Sequence, residues 1–454
     1  MGRDERRGRA RAADRSGPGA RLSARLALLA AAGVLAVLVT SVGQAGLVIV
    51  VSGFLAVALC AVGLWWFLAH RGAVRALGAA SAIAAPAALL VLFTTEGLWL
   101  TALLLGVCWA VTLACARAAL RASDPLRSRR AVAARRPRRP VLIMNPRSGG
   151  GKVGRFGLAE RARRLGARVI LLEPPGPGTP ARPADVAELA RVAVAGGADL
   201  LGVAGGDGTQ ALVAAVAAEH ELPFLVVPAG TRNHFALDLG LDRDDPARSL
   251  DALTDGEELR VDLGTVAGRA FVNTVSFGVY ADVVQRPEYR DDKAGTALNL
   301  MPDLLGGAGV RRLDARADTT ELSSQQAVLV SNNPYASPDV PARTARRPRL
   351  DSGVLGVLGI RVESAAQAAD LAVRGAQSAG LTVLTARRVE VTADAAEIPV
   401  AVDGEALRMP TPVVCVLHPA VLRVLVPRDR APAAVPAPPL DWRRLLRLAF
   451  GRAS

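Results

Sequence analysis

DLLGVAGGDGTQALVAAVAAEHELPFLVVPAGTRNHFALDLG, residues Asp199–Gly240, is the stretch whose reading decides the fold. A short apolar run ends at Ala204 and meets Gly205-Gly206-Asp207-Gly208-Thr209. An alanine- and valine-rich helical pattern follows from Gln210 to about Glu219. A second apolar run, Phe224 to Val227, ends at Pro228-Ala229-Gly230-Thr231-Arg232-Asn233. Strand, glycine loop, helix, strand, glycine loop predicts a nucleotide site at the carboxyl edge of a parallel sheet. Several backbone N–H groups must meet a phosphate at once, which brings main chain close to the ligand and favours glycine. Thr209 adds a hydroxyl donor, and the start of the following helix adds unpaired N–H groups. Asp207 repels a phosphate, so its carboxylate is expected on a metal-bound water, a ribose or adenine edge, or a substrate hydroxyl.

The same grammar appears upstream. Val141–Met144 reads as a strand running into Asn145-Pro146-Arg147-Ser148-Gly149-Gly150-Gly151-Lys152, with a helix expected from about Arg155 to Leu165. The GxxxxGK[ST] spacing of a Walker A loop is absent, since Val153 follows the lysine. Val169–Leu172 is a further strand, and a helix near Ala184–Ala195 precedes the central stretch. Three glycine loops then end three strands of one right-handed α/β sheet. Beyond Gly240, short alternating segments predict an antiparallel, sandwich-like second domain: Leu259–Thr265, Ala270–Ser276, Gln326–Ser331, Gly356–Arg361, Arg388–Thr392, Val400–Val402 and Val413–Leu417. A helix is expected within 361–381, and residues 288–325 carry no readable pattern.

The 454 residues exceed one ordinary domain. The net charge of +14 is concentrated in flanks: eight Arg in 1–25, nine in 117–140 and six in 428–454, which leaves 141–427 mildly acidic. With aromatics at 4%, this argues against a nucleic-acid partner and for an anionic phospholipid surface. Residues 26–69 hold no Asp, Glu, Lys or Arg, and 77–116 hold only Glu96. Lengths near twenty apolar residues predict four transmembrane helices within 26–116, with turns near 41–46, 70–75 and Glu96. The basic and non-basic connections alternate, as both termini of the bundle on the cytoplasmic side require. The organisation expected is a basic arm (1–25), four spans (26–116), a polybasic linker (117–140), an α/β nucleotide-binding domain (141–265), a β-sandwich domain (266–427) and a Pro/Ala-rich tail (428–454). That tail ends in a basic amphipathic helix. No Cys/His spacing suggests zinc or a disulfide.

Taken in order, the motifs resemble those of the diacylglycerol kinase catalytic-domain family, which includes bacterial lipid kinases and sphingosine kinases. Asn145–Gly149 looks like its NPxSG loop, Gly205–Thr209 its GGDGT, and Pro228–Ala236 its PxGTxNxFA. Asn273 with Gly278, Asn332-Asn333, Leu350–Leu355 (LDSGVL, against LDDGxL) and Asp403-Gly404-Glu405 follow in sequence. The resemblance implies an α/β plus β two-domain fold, ATP and Mg²⁺, and phosphorylation of a lipid hydroxyl in the membrane. It implies ATP contacts at Asn145, Pro146, Ser148, Gly149, Lys152, Gly205, Gly206, Asp207, Gly208, Thr209, Gly230, Thr231 and Asn233. Glu405, with Asp403, is the implied proton acceptor, and Asp207 is a rival. The metal loop is Asp351-Ser352, where Ser352 replaces a hard anionic ligand by a hydroxyl. The implied setting is the inner, cytoplasmic membrane, multi-pass, with the catalytic part cytoplasmic. Two other readings stay open: an NAD-kinase-like enzyme, which shares GGDGT, and a non-catalytic nucleotide- or lipid-binding module.

Overall fold

The computed structural model describes residues 18–40, 44–70, 72–95, 97, 99–122, 131–172, 183–279, 281, 312–335, 346–362, 367, 378–430 and 442–450. They form two compact units, one of Met1–Ser128 with Ala437–Ser454 and one of Arg129–Pro436. The first unit consists of helices Pro18–Thr40, Gln44–Ala69, Gly72–Thr95, Trp99–Ala122 and Trp442–Phe450. The breaks between the first four fall near the expected turns. Gln44–Ala69 packs along Gly72–Thr95 through glycines: a Cβ on Gly63 would sit 2.8 Å from the Gly78 carbonyl oxygen. Small residues let apolar helices approach this closely. Among the described residues one helix, Gly72–Thr95, is long and apolar enough to cross a membrane, against four spans expected; the apolar stretches Val51–Phe67 and Leu103–Ala116 are shorter.

The second unit begins with β1 (Val132–Ala133), β2 (Pro140–Met144), β3 (Arg168–Leu171), β4 (Leu200–Gly205) and β5 (Pro223–Pro228). Strands β3-β2-β4-β5 are parallel neighbours in that order. Alternate side chains face opposite layers, as the strand period of two requires. Val141, Ile143, Leu201 and Val203 pack on helices Pro183–Ala195 and Asp207–Glu219. Leu142, Met144, Leu200 and Ala204 pack on Leu158–Arg164 and the 3-10 segment Pro246–Leu253. The helix expected over 155–165 is shorter, Leu158–Arg164, starting after Gly157, whose φ of 56° no helix continues; the segment before it, Ser148–Arg155, is non-helical at Gly149, Gly150 and Gly151.

The chain continues through β6 (Gly256–Val266), β7 (Arg269–Phe271), β8 (Thr274–Gly278), β9 (Leu313–Ala317), β10 (Thr320–Gln325), β11 (Ala327–Ser331), β12 (Leu355–Ile360), β13 (Leu381–Ala386), β14 (Arg388–Thr392), β15 (Glu397–Val402), β16 (Glu405–Pro410) and β17 (Val413–Pro427). One antiparallel sheet runs β13-β12-β11-β8-β15-β16. It packs on β9, β14, β7 and the first half of β17 around Phe271, Phe277, Val330, Val389, Val400 and Cys415. The second half of β17 pairs parallel with β5, Val424 opposite Phe224, while β6 pairs antiparallel along both halves. One strand thus completes the sandwich and the parallel sheet, so residues 266–427 are not a sheet apart from 141–265. The expected segment Ala270–Ser276 is two strands, because its central N–H groups bond a side chain instead of a ladder. Strands β9, β10, β13 and β16 were not expected; in β10 the polar residues Thr320, Glu321, Ser323 and Ser324 interrupt the pattern. The expected helix within 361–381 lies almost wholly outside the described residues, as do residues 1–17, 123–130 and 431–441.

Candidate active site

The three glycine loops leave the carboxyl ends of β2, β4 and β5 and meet backbone to backbone. Gly149, Gly150 and Gly151 have φ of 56°, 72° and 80° in succession, a left-handed path that side chains resist. A Cβ on Gly149 would overlap the Ala229 carbonyl oxygen, and one on Gly230 would sit 2.5 Å from the Gly206 Cα. Around Gly150 nothing lies within 4 Å of where a Cβ would be, so that wall is open to a ligand. The Gly230 N–H donates to the Gly205 carbonyl at 3.1 Å, which ties the second loop to the third.

Several residues expected at a ligand also hydrogen-bond within the protein. Asn233, buried and left-handed at φ 51°, accepts the Gly230 N–H at 3.1 Å and donates to the Gly230 carbonyl at 2.7 Å. The Asn145 side-chain oxygen accepts the Arg147 N–H at 3.0 Å, an Asx turn that shapes the first loop. Lys152 donates to the Arg243 carbonyl at 2.6 Å. Asp207 is buried, and its two oxygens accept the N–H groups of His234 (3.1 Å) and Phe235 (3.2 Å). Its partner is therefore the backbone opening helix His234–Asp238, an option outside those expected from sequence. Burial pushes the Asp207 carboxyl up, against those two donors. Burial likewise takes the His234 imidazole down to about 4, so it is neutral near pH 7. Thr209 folds over Gly205, while Pro146 and Thr231 are exposed and Ser148 is half-buried at the same rim.

Across from these loops lies the tight turn between β15 and β16. Asp403 takes φ 48° there and accepts N–H groups from Val272 and Asn273 at 2.8 Å and Thr274 at 2.9 Å. Those bonds break the expected strand in two. Desolvation, then the Asp207 charge, push the Asp403 carboxyl up to about 7 against the three donors. Glu405 lies directly over Gly208, so close that a Cβ on that glycine would overlap its carboxylate, and it forms an ion pair with Arg269. Its side chain remains 39% exposed. Of the three carboxylates expected to act in chemistry, Asp207 is buried, whereas Asp403 and Glu405 are both partly exposed.

Arg347 escaped the sequence reading and is the most heavily bonded cation here. It is buried, donating to Asp238 at 2.7 Å, to the carbonyls of Val272 (2.6 Å) and Asn332 (2.7 Å), and to the Asn273 side-chain oxygen at 2.6 Å. Asp262, also missed, accepts N–H groups from Gly353 (2.7 Å) and Ala420 (2.8 Å). An acid set between Val261 and Leu263, inside the expected strand Leu259–Thr265, was the available signal for it.

The loop expected to hold a divalent ion does not fit one. The Ser352 hydroxyl donates to the Asn333 side-chain oxygen at 2.6 Å, and Asp351 is paired with Arg349 at 2.9 Å. Among the described residues no group of three or more His, Cys, Asp or Glu side chains is placed to hold a metal. Hard cations take several anionic or carbonyl oxygens, and here one carboxylate is already matched by a guanidinium.

The model of the diacylglycerol kinase catalytic domain matches residues 139–266. Over 128 residues the chain is 32% identical to a diacylglycerol kinase of Mycobacterium tuberculosis, which is 28% of this chain and 40% of that protein. Over 82 residues it is 39% identical to a diacylglycerol kinase of Bacillus subtilis (strain 168), 18% of this chain and 27% of that one. The matches thus span less than half the length of these relatives. A crystal structure from Bacillus anthracis str. Sterne shares the fold, with a TM-score of 0.51 at 18% identity, covering 66% of this chain and 100% of the other. Residues 139–266, which carry the three glycine loops and the strands that hold them, are thus similar to the diacylglycerol kinase catalytic domain.

Proposed function

We propose that the protein is a membrane-anchored lipid kinase that moves the γ-phosphate of ATP to the hydroxyl of a diacylglycerol- or sphingoid-like lipid. The observation that carries this reading is the Glu405 carboxylate lying over Gly208, where the glycine loops meet. In this reading Gly149, Ser148, the Gly205–Thr209 backbone and Thr231 hold the nucleotide phosphates, with Asn145 and Asn233 keeping the loops in shape. What supports a nucleotide here is that the loops are side-chain-free where they adjoin, with open space beside Gly150. Phosphoryl transfer needs positioning and a base within reach of the acceptor hydroxyl. Glu405 is the base in this reading, accepting the hydroxyl proton at its carboxylate. Asp207 orders the loop that follows β5, and Asp403 fixes the turn that carries Glu405. Asp351 and Ser352 take no step. A divalent ion, if it acts, arrives with the nucleotide.

The lipid setting rests on the helices within 18–122 and on the Arg-rich segments beside them, with anionic phospholipid as the surface partner. A multi-pass, cytoplasmic-face arrangement in the inner membrane is part of the same proposal. One observation favours a non-catalytic module instead, namely the Ser352 hydroxyl closed onto Asn333. Incubating the full chain in native membranes with γ-labelled ATP decides between them. The proposal expects label in a chloroform-extractable lipid. ATP binding without labelled lipid favours the module, and label on NAD favours the NAD-kinase-like reading.

A further inference from the structure

We infer that helix Trp442–Phe450 is a membrane-interface contact whose occupant is the headgroup zone of an anionic bilayer; this rests on the membrane reading above. The helix has two different faces. Leu445 and Ala449 are buried against Ala24 and Ala27 of helix Pro18–Thr40 and against Ala116 and Ala119 of helix Trp99–Ala122. The Arg25 guanidinium donates to the Ala449 carbonyl at 3.1 Å, answering one of the orphan acceptors of the last turn. Four-residue spacing puts Trp442, Leu446 and Phe450 on a second stripe, 39%, 46% and 72% exposed. A helix serving only to pack on its neighbours would present polar side chains there.

Three features of the molecule identify what covers that stripe. The helix is seated at the start of one long apolar helix and the end of another, where the flanking segments carry their arginines. The surface beside it is already apolar, since Leu22, Leu26 and Leu29 of Pro18–Thr40 are exposed as well. The helix's own sequence interleaves Arg443, Arg444 and Arg447 with the apolar residues, the pattern of a helix lying in a headgroup layer of negative charge. The consequence concerns connectivity. Residues 437–454 belong to the same unit as residues 1–128, whereas residues 129–436 form the other. The kinase-like unit is therefore held at both of its chain ends by one membrane-associated unit, and the tail helix is the second of two tethers.

The test uses the full chain in vesicles of phosphatidylglycerol mixed with a photoactivatable phosphatidylcholine, with adducts mapped by mass spectrometry. Expected are adducts on Trp442, Leu446 and Phe450 together with exposed residues of 18–122, and none on Leu445 or Ala449. Adducts on the tail should fall severalfold when phosphatidylcholine replaces phosphatidylglycerol, while those on 18–122 stay constant. Equal tail labelling in both bilayers overturns the anionic assignment. Labelled helices with an unlabelled tail overturn the inference while leaving the membrane reading intact, and tail-to-tail cross-links between copies do so in favour of a second chain. No adducts within 18–122 overturn the membrane reading itself.

Discussion

Arg347 makes the clearest difference at the scale of single residues. Its guanidinium closes the gap between Asp238, at the end of helix His234–Asp238, and Asn273, between β7 and β8. Arg347→Met leaves Asp238 buried and unpaired, a loss of about 3–5 kcal/mol, to be read as a lower Tm of the detergent-solubilised chain. Arg347→Lys keeps the charge but not the planar fork, and should recover only part of that loss. Glu405→Gln preserves shape at a partly exposed position and should leave Tm unchanged while lowering transfer by about 10²–10⁴-fold, the usual range for losing a general base. Asp207→Ala should do something else. It strands two buried N–H donors, so it should lower Tm by an amount matching roughly 1–3 kcal/mol per unmet group along with activity.

Asp403 supplies a pH signature. Its folded carboxyl is raised to about 7 from the usual aspartate value of 3.8. A raised carboxyl binds more protons folded than unfolded, so its contribution to stability is full below about pH 4 and is lost as pH rises toward 7. The Tm difference between wild type and Asp403→Asn should therefore favour wild type more at pH 5 than at pH 8. A difference that does not move with pH contradicts the assignment.

At the scale of elements, the glycine loops were legible because the requirement is local. Three strands end in glycine runs, and a backbone that must come close to another backbone tolerates nothing larger. What each side chain does there was less legible. Asn233 and Asp207 read as ligand contacts, yet both bond loop backbone, since a sequence does not say whether a polar side chain turns inward or out. The split between β7 and β8 was hidden for the same reason: its cause is Asp403, 130 residues later than Asn273. Arg347 was invisible in an arginine-rich run of which, among the described residues, it is the buried one. The loops also make graded predictions. Gly149→Ala meets the Ala229 carbonyl and a positive φ, whereas Gly150→Ala meets only the φ. The first should reduce both Tm and ATP affinity, and the second should cost about 1–2 kcal/mol of strain with the smaller effect on binding.

The whole molecule divides its chemistry between two units. The mildly acidic part carries the glycine loops and the carboxylates, while the arginine surplus lies in the flanks beside apolar helices. That division was readable from charge counts alone. The strand β17 was not, because a run such as VVCVLHPAVLRVLVP reads as one strand's worth of pattern followed by a turn at Pro419, and only the tertiary structure carries it on into the parallel sheet. The account stands or falls on the claim that three side-chain-free bends hold a triphosphate. Calorimetric titration of the full chain with ATP and with adenosine, both with Mg²⁺ present, tests it most directly. Saturable ATP binding with adenosine at least about tenfold weaker, some 1.4 kcal/mol, is the result predicted. Equal affinity for the two, or no heat with ATP, would contradict it.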